Sequence, residues 1–346
     1  MTHVDVRWVN ARELSDDEFD ATLRLRQAID LRIDPHLEPT QAAELAAYLR
    51  NDRTERARHE RIVGFDGSTA VAIGHIDFTW DVNNLGFSSL EIDMGENDDG
   101  LGRTTLARLL DLADADSRTS ILGWGRDTPW RRAFWDRLGA PLRYTERYSE
   151  IDLGAVDGEL MQAWIDRRTE RAASFQLVSW AGICPDPWIG AYVGTLNAMN
   201  DAPIDDLDIE DVVVGADDVA EVCESFQAVG LRMVAIMALT EQGEPAAMTS
   251  ILLNDYRADG SWQWETVVLE PFRNRGIGRW IKAAMWQRLR RDYPNIQTLR
   301  TGNAESNAAM LAINVQMGYR PTHTYGAWQT DIDTLRRNLT GPDQHG

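Results

Sequence analysis

The stretch Arg273-Asn-Arg-Gly-Ile-Gly278 is built for binding an anion. It follows an alternating run, Trp262 to Leu269, and precedes an amphipathic run, Arg279 to Arg291, so it reads as a strand-to-helix turn. Glycines let such a turn close tightly. The amides of Asn274, Arg275, Gly276, Ile277, Gly278 and Arg279 then point outward, where the helix N-terminal field favours a pyrophosphate. Arg273 and its neighbouring arginines can add charged hydrogen bonds. The spacing is neither a dinucleotide-binding Gly-x-Gly-x-x-Gly nor a P-loop, since no Gly-Lys-Ser or Gly-Lys-Thr follows.

Glu265 lies in the strand before this turn, between Trp264 and Thr266. Strict alternation puts it on one face with Gln263 and Val267, and puts Trp262, Trp264, Thr266 and Val268 on the other. It is either a general base for an ammonium substrate or a sheet-edge carboxylate in solvent or a salt bridge. Downstream, Asn303 to Tyr319 holds a helix ended by Gly318, with Glu305 near its start and Asn307 and Asn314 within it. His323, in the last strand region, is a lesser candidate base. Asn197, Asn200 and Asp201 can line an acceptor side. The acidic run Asp201 to Asp211 is either a solvated loop or a cleft wall suited to a cation. Cys184, before Pro185, and Cys223, on a helix, stand in no nucleophile setting, and the six histidines show no metal-ligand spacing.

Positioning these residues takes two copies of one plan. Gly100 and Gly102 recur 176 residues on as Gly276 and Gly278, and Gly139 recurs 179 residues on as Gly318. Each copy reads as two or three strands, a glycine turn, a helix, a short strand, a second helix and a closing strand. In the first copy these are Glu60 to Phe65, Ala70 to Trp80, Ser88 to Met94, a helix bearing Leu106, Leu109, Leu110 and Ala113, Ile121 to Trp124, Trp130 to Leu138, and Leu142 to Leu153. The second runs from Leu231 to Ile332, and Leu160 to Phe175 is a helix or helical linker between the copies. At 346 residues the chain suits two domains, and 43% hydrophobic with 26% charged residues is a globular composition. The excess of 55 acidic over 35 basic residues, a net charge of -20, disfavours nucleic acid and anionic membrane. The first stretch lacks signal-peptide character and no run approaches a membrane span, so a cytoplasmic protein is expected.

With the loop and the Asn307…Gly318-Tyr319 pattern in place, the sequence resembles the GCN5-related N-acetyltransferase (GNAT) superfamily, in its tandem two-domain actinobacterial form. Arg273, Gly276 and Gly278 match that family's acyl-CoA signature in full. The resemblance implies an α/β fold of two tandem GNAT domains, each a mixed, mostly antiparallel splayed sheet flanked by helices. It implies an N-terminal domain over 1–155, a linker helix over 156–176 and a C-terminal catalytic domain over 177–346. Acetyl-CoA (CoA) would lie between the fourth and fifth strands of the second domain. Val267, Val268 and Leu269 would contact it through the backbone, residues 274 to 279 would hold its pyrophosphate, and Asn307 would approach the pantetheine arm. Many members carry a tyrosine acid where this chain has Asn314, which can donate a hydrogen bond to sulfur but not a proton. In the first copy Asp98 and Asp99 replace the arginines, Thr128 stands for Asn307 and Trp135 for Asn314, so that domain is expected to be degenerate.

The expected activity is transfer of an acetyl group to a primary amine of a small, possibly cationic, molecule, by direct attack on the thioester. Catalysis would involve Glu265 and Asn314, with an oxyanion held by an N–H near Val268 and an acceptor contacting Asn200, Asp201 and Glu305. The alternatives are an O-acyl or longer-acyl transferase on the same fold, or a non-catalytic acyl-CoA-binding protein. No metal, nucleic-acid or membrane partner is expected, and the protein would be a monomer or homodimer.

Overall fold

The computed structural model describes residues 6–33, 35, 38–51, 57–79, 81, 83–167, 174–257 and 259–340. These form twelve strands and ten α-helices in two compact units. Trp80 and residues 168–173 of the expected linker lie outside the described residues.

The first unit comprises residues 1–145, 204–210 and 324–346. Its strands are β1 (Arg7–Asn10), β2 (Ala57–Asp66), β3 (Thr69–Thr79), β4 (Phe87–Met94), β5 (Ser120–Arg126) and most of β12 (Arg320–Asp331), ordered β1-β2-β3-β4-β5-β12. All neighbours are antiparallel except β4 and β5. Helices α1 (Asp16–Ile33) and α2 (Ala42–Arg50) cover one face, through Leu25, Ile29, Leu45 and Leu49 against Val63, Phe65 and Ile73. Helices α3 (Asp99–Ala115), α4 (Pro129–Arg137) and the C-terminal helix (Ile332–Thr340) cover the other, around Ile76, Phe78, Leu90, Trp135 and Trp328.

The second unit comprises residues 146–203 and 211–323. It repeats the plan as β6-β11-β10-β9-β8-β7, from β6 (Leu142–Asp152), β7 (Gln176–Ala181), β8 (Leu231–Leu239), β9 (Pro245–Asn254), β10 (Trp262–Val268) and β11 (Thr298–Ala304). One face packs α6 (Ile189–Asn197) and α7 (Ala216–Ala228) through Tyr192, Val219 and Cys223. The other packs α5 (Gly158–Asp166), α8 (Ile277–Asp292) and α9 (Ala308–Met317), with Trp280, Met285 and Leu289 inward. The helices start where the sequence offers a cap: Thr128 Oγ1 accepts from Arg131 N–H at 3.1 Å, and Asn307 Oδ1 from Met310 N–H at 3.1 Å. The two caps confirm residue by residue that Thr128 and Asn307 are equivalent.

The closing strands differ from expectation. β12, late in the sequence, pairs with β5 of the first unit, and β6, from the first copy, pairs with β11 of the second. Compact units therefore do not follow the cuts at 155, 176 and 177. Internal similarity identifies which strand is equivalent to which, but it carries no information about which sheet edge that strand joins. The C-terminal helix, absent from the sequence reading, continues this exchange by burying Ile332 and Leu335 in the first unit. The acidic run is divided as well: within 204–210, Gln329 brackets Asp208 through its N–H at 2.7 Å and its carbonyl at 2.8 Å. That segment is a strap on the first unit.

Because each sheet borrows its last strand, a split at 155/156 removes β12, Trp328 and Leu335 from the first unit and most of β6 from the second. Residues 1–155 and 156–346 expressed separately are expected to show no cooperative thermal transition by circular dichroism. A sharp transition in either half would contradict the exchange.

Candidate active site

In the second unit, the parallel strands β10 and β11 pair only at Trp262↔Arg300 and then part. The edge of β10 beyond that point keeps its polar groups for another partner. Leu269 N–H is spent on Ala246 O, on the β9 side, at 3.0 Å. By strand alternation the N–H of Val268 faces the opening. Val268 O accepts from Arg273 Nε at 3.1 Å, and Val267 packs into the core beneath α6 and α7.

Gly276 closes the strand-to-helix turn at φ 80°, in the left-handed region, and its missing Cβ would meet no atom within 4 Å. Asn274 is also left-handed, at φ 63°. No side chain caps α8, so the first-turn amides of Ile277, Gly278 and Arg279 face outward. Gly278 is small because a Cβ there would come within 3.3 Å of Val268, which brings the helix start close against β10. Arg275 lies over the Phe272 ring, and Arg279 bonds Gln316 at 3.3 Å. Arg273 pairs with Asp201 at 2.9 Å.

Glu265 sits at a β-bulge between Gln263 and Thr266, an irregularity that alternation cannot see. The bulge turns the expected faces. Gln263 and Thr266 both hydrogen-bond Thr249 on the α8 side, at 3.0 and 2.9 Å. Trp262 packs with Val267 on the α6/α7 side, and Trp264 meets Phe226 of α7 edge-on at 5.8 Å. On that side burial raises the Tyr192 hydroxyl and the Cys223 thiol, and the Glu265 carboxylate adds to both. Burial pushes Glu265 itself up to about 7, moderated by a Ser250 hydrogen bond, and its Oε2 has no hydrogen-bond partner. Glu265 is half-buried, and among the described residues no salt bridge holds it.

A second carboxyl faces the same way and was missed from sequence. Glu146, on the exchanged strand β6, lies over Gly302 of β11, and burial raises it to about 7 against a hydrogen bond from Tyr148. Tyr148 packs edge-on to Trp262 at 5.3 Å and stacks on His323 at 4.9 Å. His323 Nδ1 is 3.0 Å from Thr322 Oγ1, so it belongs to this aromatic wall and not to the Glu265 pocket.

The remaining candidates are placed less centrally. Glu305 is held by Arg147 and Asn307 caps α9. Asn200 and Asn197 clamp the backbone of Val212 and Val214. Asn314 is buried, donates to Asn303 Oδ1 at 2.6 Å and leaves its own Oδ1 unpartnered. Burial pushes the thiols of Cys184 and Cys223 up, to about 12 and about 11, which agrees with no nucleophilic role.

No protein-family model matches the sequence, and no curated protein matches it. Solved structures do. A tandem GNAT protein from the clavulanic acid biosynthesis pathway superposes with TM-score 0.73 at 19% identity, over 98% of this chain and 100% of that one. A GCN5-related N-acetyltransferase from Sphaerobacter thermophilus superposes with TM-score 0.64 at 12% identity, over 94% and 96% of the two chains. The chain has the tandem GNAT fold. Among the described residues no helix is long and apolar enough to cross a membrane.

The two GNAT units differ where the donor would lie. In the first, β4 and β5 stay paired as far as Glu91↔Trp124. Beyond that, the Arg131 guanidinium spans the gap, donating to Trp124 O and Ile92 O at 3.1 Å each. Asp98 Oδ1 takes the Leu101 N–H at 2.7 Å, so a carboxylate already occupies the helix start, and Asp99 is tied to Trp130 and Arg137. Trp135 fills core space beside Trp328.

Lys282, the only lysine in the chain, lies one turn after Gly278 on the same face of α8. It is fully buried, 5.8 Å from the Tyr319 ring, and neither its Nζ nor Tyr319 Oη has a hydrogen-bond partner. Burial lowers it from 10.5 to about 7. Below pH 7 folding bears the cost of a buried ammonium; that cost falls as pH rises from about 7 to 10.5, where only the unfolded chain keeps the proton. Lys282→Met is expected to stabilise the protein by roughly 2–5 kcal/mol below pH 7 and by little above pH 10.5, measured by urea unfolding across pH.

Proposed function

We propose that this protein is an acetyl-CoA-dependent N-acetyltransferase whose second unit transfers the acetyl group to a primary amine of a small molecule. The observation that carries this reading is the parting of β10 from β11 beside an uncapped glycine-led helix start, with a half-buried carboxyl at the bulge whose Oε2 has no hydrogen-bond partner. An extended thioester arm fits the unpaired strand edge, and a pyrophosphate fits the amides of residues 274 to 279. Arg273 is half exposed and so is its partner Asp201. Such a pair is worth little, so a phosphate group can displace the carboxylate.

In the reaction, Glu265 accepts a proton from the substrate ammonium, directly or through water. The freed amine lone pair attacks the thioester carbonyl carbon. The N–H of Val268 stabilises the oxyanion, collapse breaks the carbon–sulfur bond to expel the thiolate, and the second amine proton passes through water to that sulfur, leaving the amide and CoA. CoA leaves as a thiolate, an adequate leaving group near neutral pH, so the absence of a tyrosine acid is tolerable. Asn314 Nδ2 keeps a second hydrogen that can face the sulfur.

The acceptor's charge now rests on different residues than the acidic run suggested. Trp264 is 48% exposed and adjoins Glu265 on one face, so an aromatic surface and a carboxyl together suit a cationic amine. The first unit, with Asp98 and Arg131 in the donor positions, binds no donor in this reading.

Two experiments test it. Calorimetric titration with acetyl-CoA is expected to show one site, abolished by Gly276→Glu and retained in Arg131→Ala; two sites, or none, would overturn the assignment. With an amine substrate found by screening for CoA release, kcat/KM should rise with pH through about 7 as Glu265 ionises. Glu265→Gln should lower kcat by about 10²–10⁴ and erase that rise. If Glu146→Gln erases it instead, the base is Glu146.

A further inference from the structure

The face of the first unit that α1 and α2 cover is apolar at one end and polar at the other. Beyond Val63, Phe65 and Ile73, the same side of the sheet carries His59 on β2, His75 and Asp77 on β3 and Glu91 on β4. The register sets His59 opposite Asp77 and His75 opposite Glu91. Directly opposed side chains on one face approach to about 5 Å between Cβ atoms, so His59, His75 and Asp77 converge without any sequence motif, with Glu91 one strand further on. This is why the spacing of the histidines along the chain gave no hint of a metal.

His59 Nδ1 lies 2.5 Å and His75 Nε2 lies 2.6 Å from the same oxygen, Asp77 Oδ1. All three ligand atoms fall within 4.8 Å of one another, and all three residues are half-buried. Tyr48 of α2 stands 3.2 Å from His75 Nδ1 and meets the ring edge-on. A hydroxyl on Nδ1 fixes the orientation of the imidazole that presents Nε2 to the cluster, as outer partners do in metal sites. Arg61 stacks over Tyr48 at 4.1 Å and donates to Asn51 O, which holds Tyr48 against the sheet.

We propose that His59 Nδ1, His75 Nε2 and Asp77 Oδ1 bind a divalent first-row transition metal, with Glu91 as the neighbouring carboxylate. Two imidazoles and a carboxylate form a borderline donor set that suits zinc or cobalt and does not suit calcium or magnesium. Bonds of about 2.0–2.2 Å would require the donor atoms to separate by only about 1 Å from their present spacing. Side-chain rotation on neighbouring strands supplies that movement.

The experiment is a titration of the untagged, chelator-dialysed full chain with Zn(II), followed by Co(II) for its visible spectrum. One tight equivalent is expected, with Co(II) absorption bands of four- or five-coordinate geometry. His75→Ala and the near-isosteric Asp77→Asn should weaken binding by about 100-fold or more, and Tyr48→Phe by about 10-fold. Circular dichroism should show Asp77→Asn still folded. Failure of the wild-type chain to bind, or binding unchanged in folded Asp77→Asn, would overturn the proposal. Acetyl-CoA titration of the same samples reports separately on the second unit.

Discussion

Parallel strands that separate must leave backbone donors and acceptors unpaired, and such groups are costly unless something else satisfies them. The separation of β10 from β11 after a single pair sets this problem in the second unit. The turn at its mouth then needs a left-handed residue, which Gly276 supplies, and a helix start pressed onto β10, which Gly278 permits. The bulge at Glu265 belongs to the same distortion, since it rotates β10 while keeping β9 paired. The first unit meets the same demand internally. Arg131 caps both separated edges, and Asp98 caps the adjoining helix. One architecture is thus closed by its own side chains in one copy and left for a ligand in the other. The residue equivalent to Arg131 is Met310, which has no donor to offer.

Charge acts locally in the same sense. A chain with net charge -20 repels an anionic donor at a distance, so attraction has to come from fixed dipoles and a few arginines. Arg273 is oriented by Asp201, and both are well exposed, so their mutual attraction is screened. An uncapped helix end beside that pair is a stronger anion site than either arginine alone. In the first copy, replacing the arginines by Asp98 and Asp99 adds carboxylates that already satisfy the helix amide and Arg137. A phosphate there would have to displace groups of its own sign.

The features legible in the sequence are those in which a local backbone need selects a residue type. The glycine turn, the Asn307 and Thr128 caps, the helix-ending glycines and the duplication all fall in this class. The GNAT fold followed from them, and so did the contrast between the two loops. What escaped depends on partners far along the chain. Glu265 keeps the face of Val267 but not that of Gln263, because one extra residue in the bulge between Gln263 and Thr266 breaks the alternation on which such readings rest. The Asp201–Asp211 run reads as either a solvated loop or a cleft wall, and its residues 204–210 strap the first unit through Gln329 and Asn84. The cluster at His59, His75 and Asp77 is set by cross-strand register, which no single strand encodes.

Strand exchange gives the first copy a physical role independent of any donor site. β6 follows directly from the first copy's helix α4 and Gly139, but its residues 146–152 form a ladder with β11. Without it, Leu299 and the edge of β11 would face solvent, and Trp262 and Gly302 would lose their contacts with Tyr148 and Glu146. The first unit depends likewise on Trp328 and the C-terminal helix. Each half therefore holds a piece of the other's core. Whatever its own helix start holds, the first copy is required for the second unit's sheet to close, because residues 146–152 come from it.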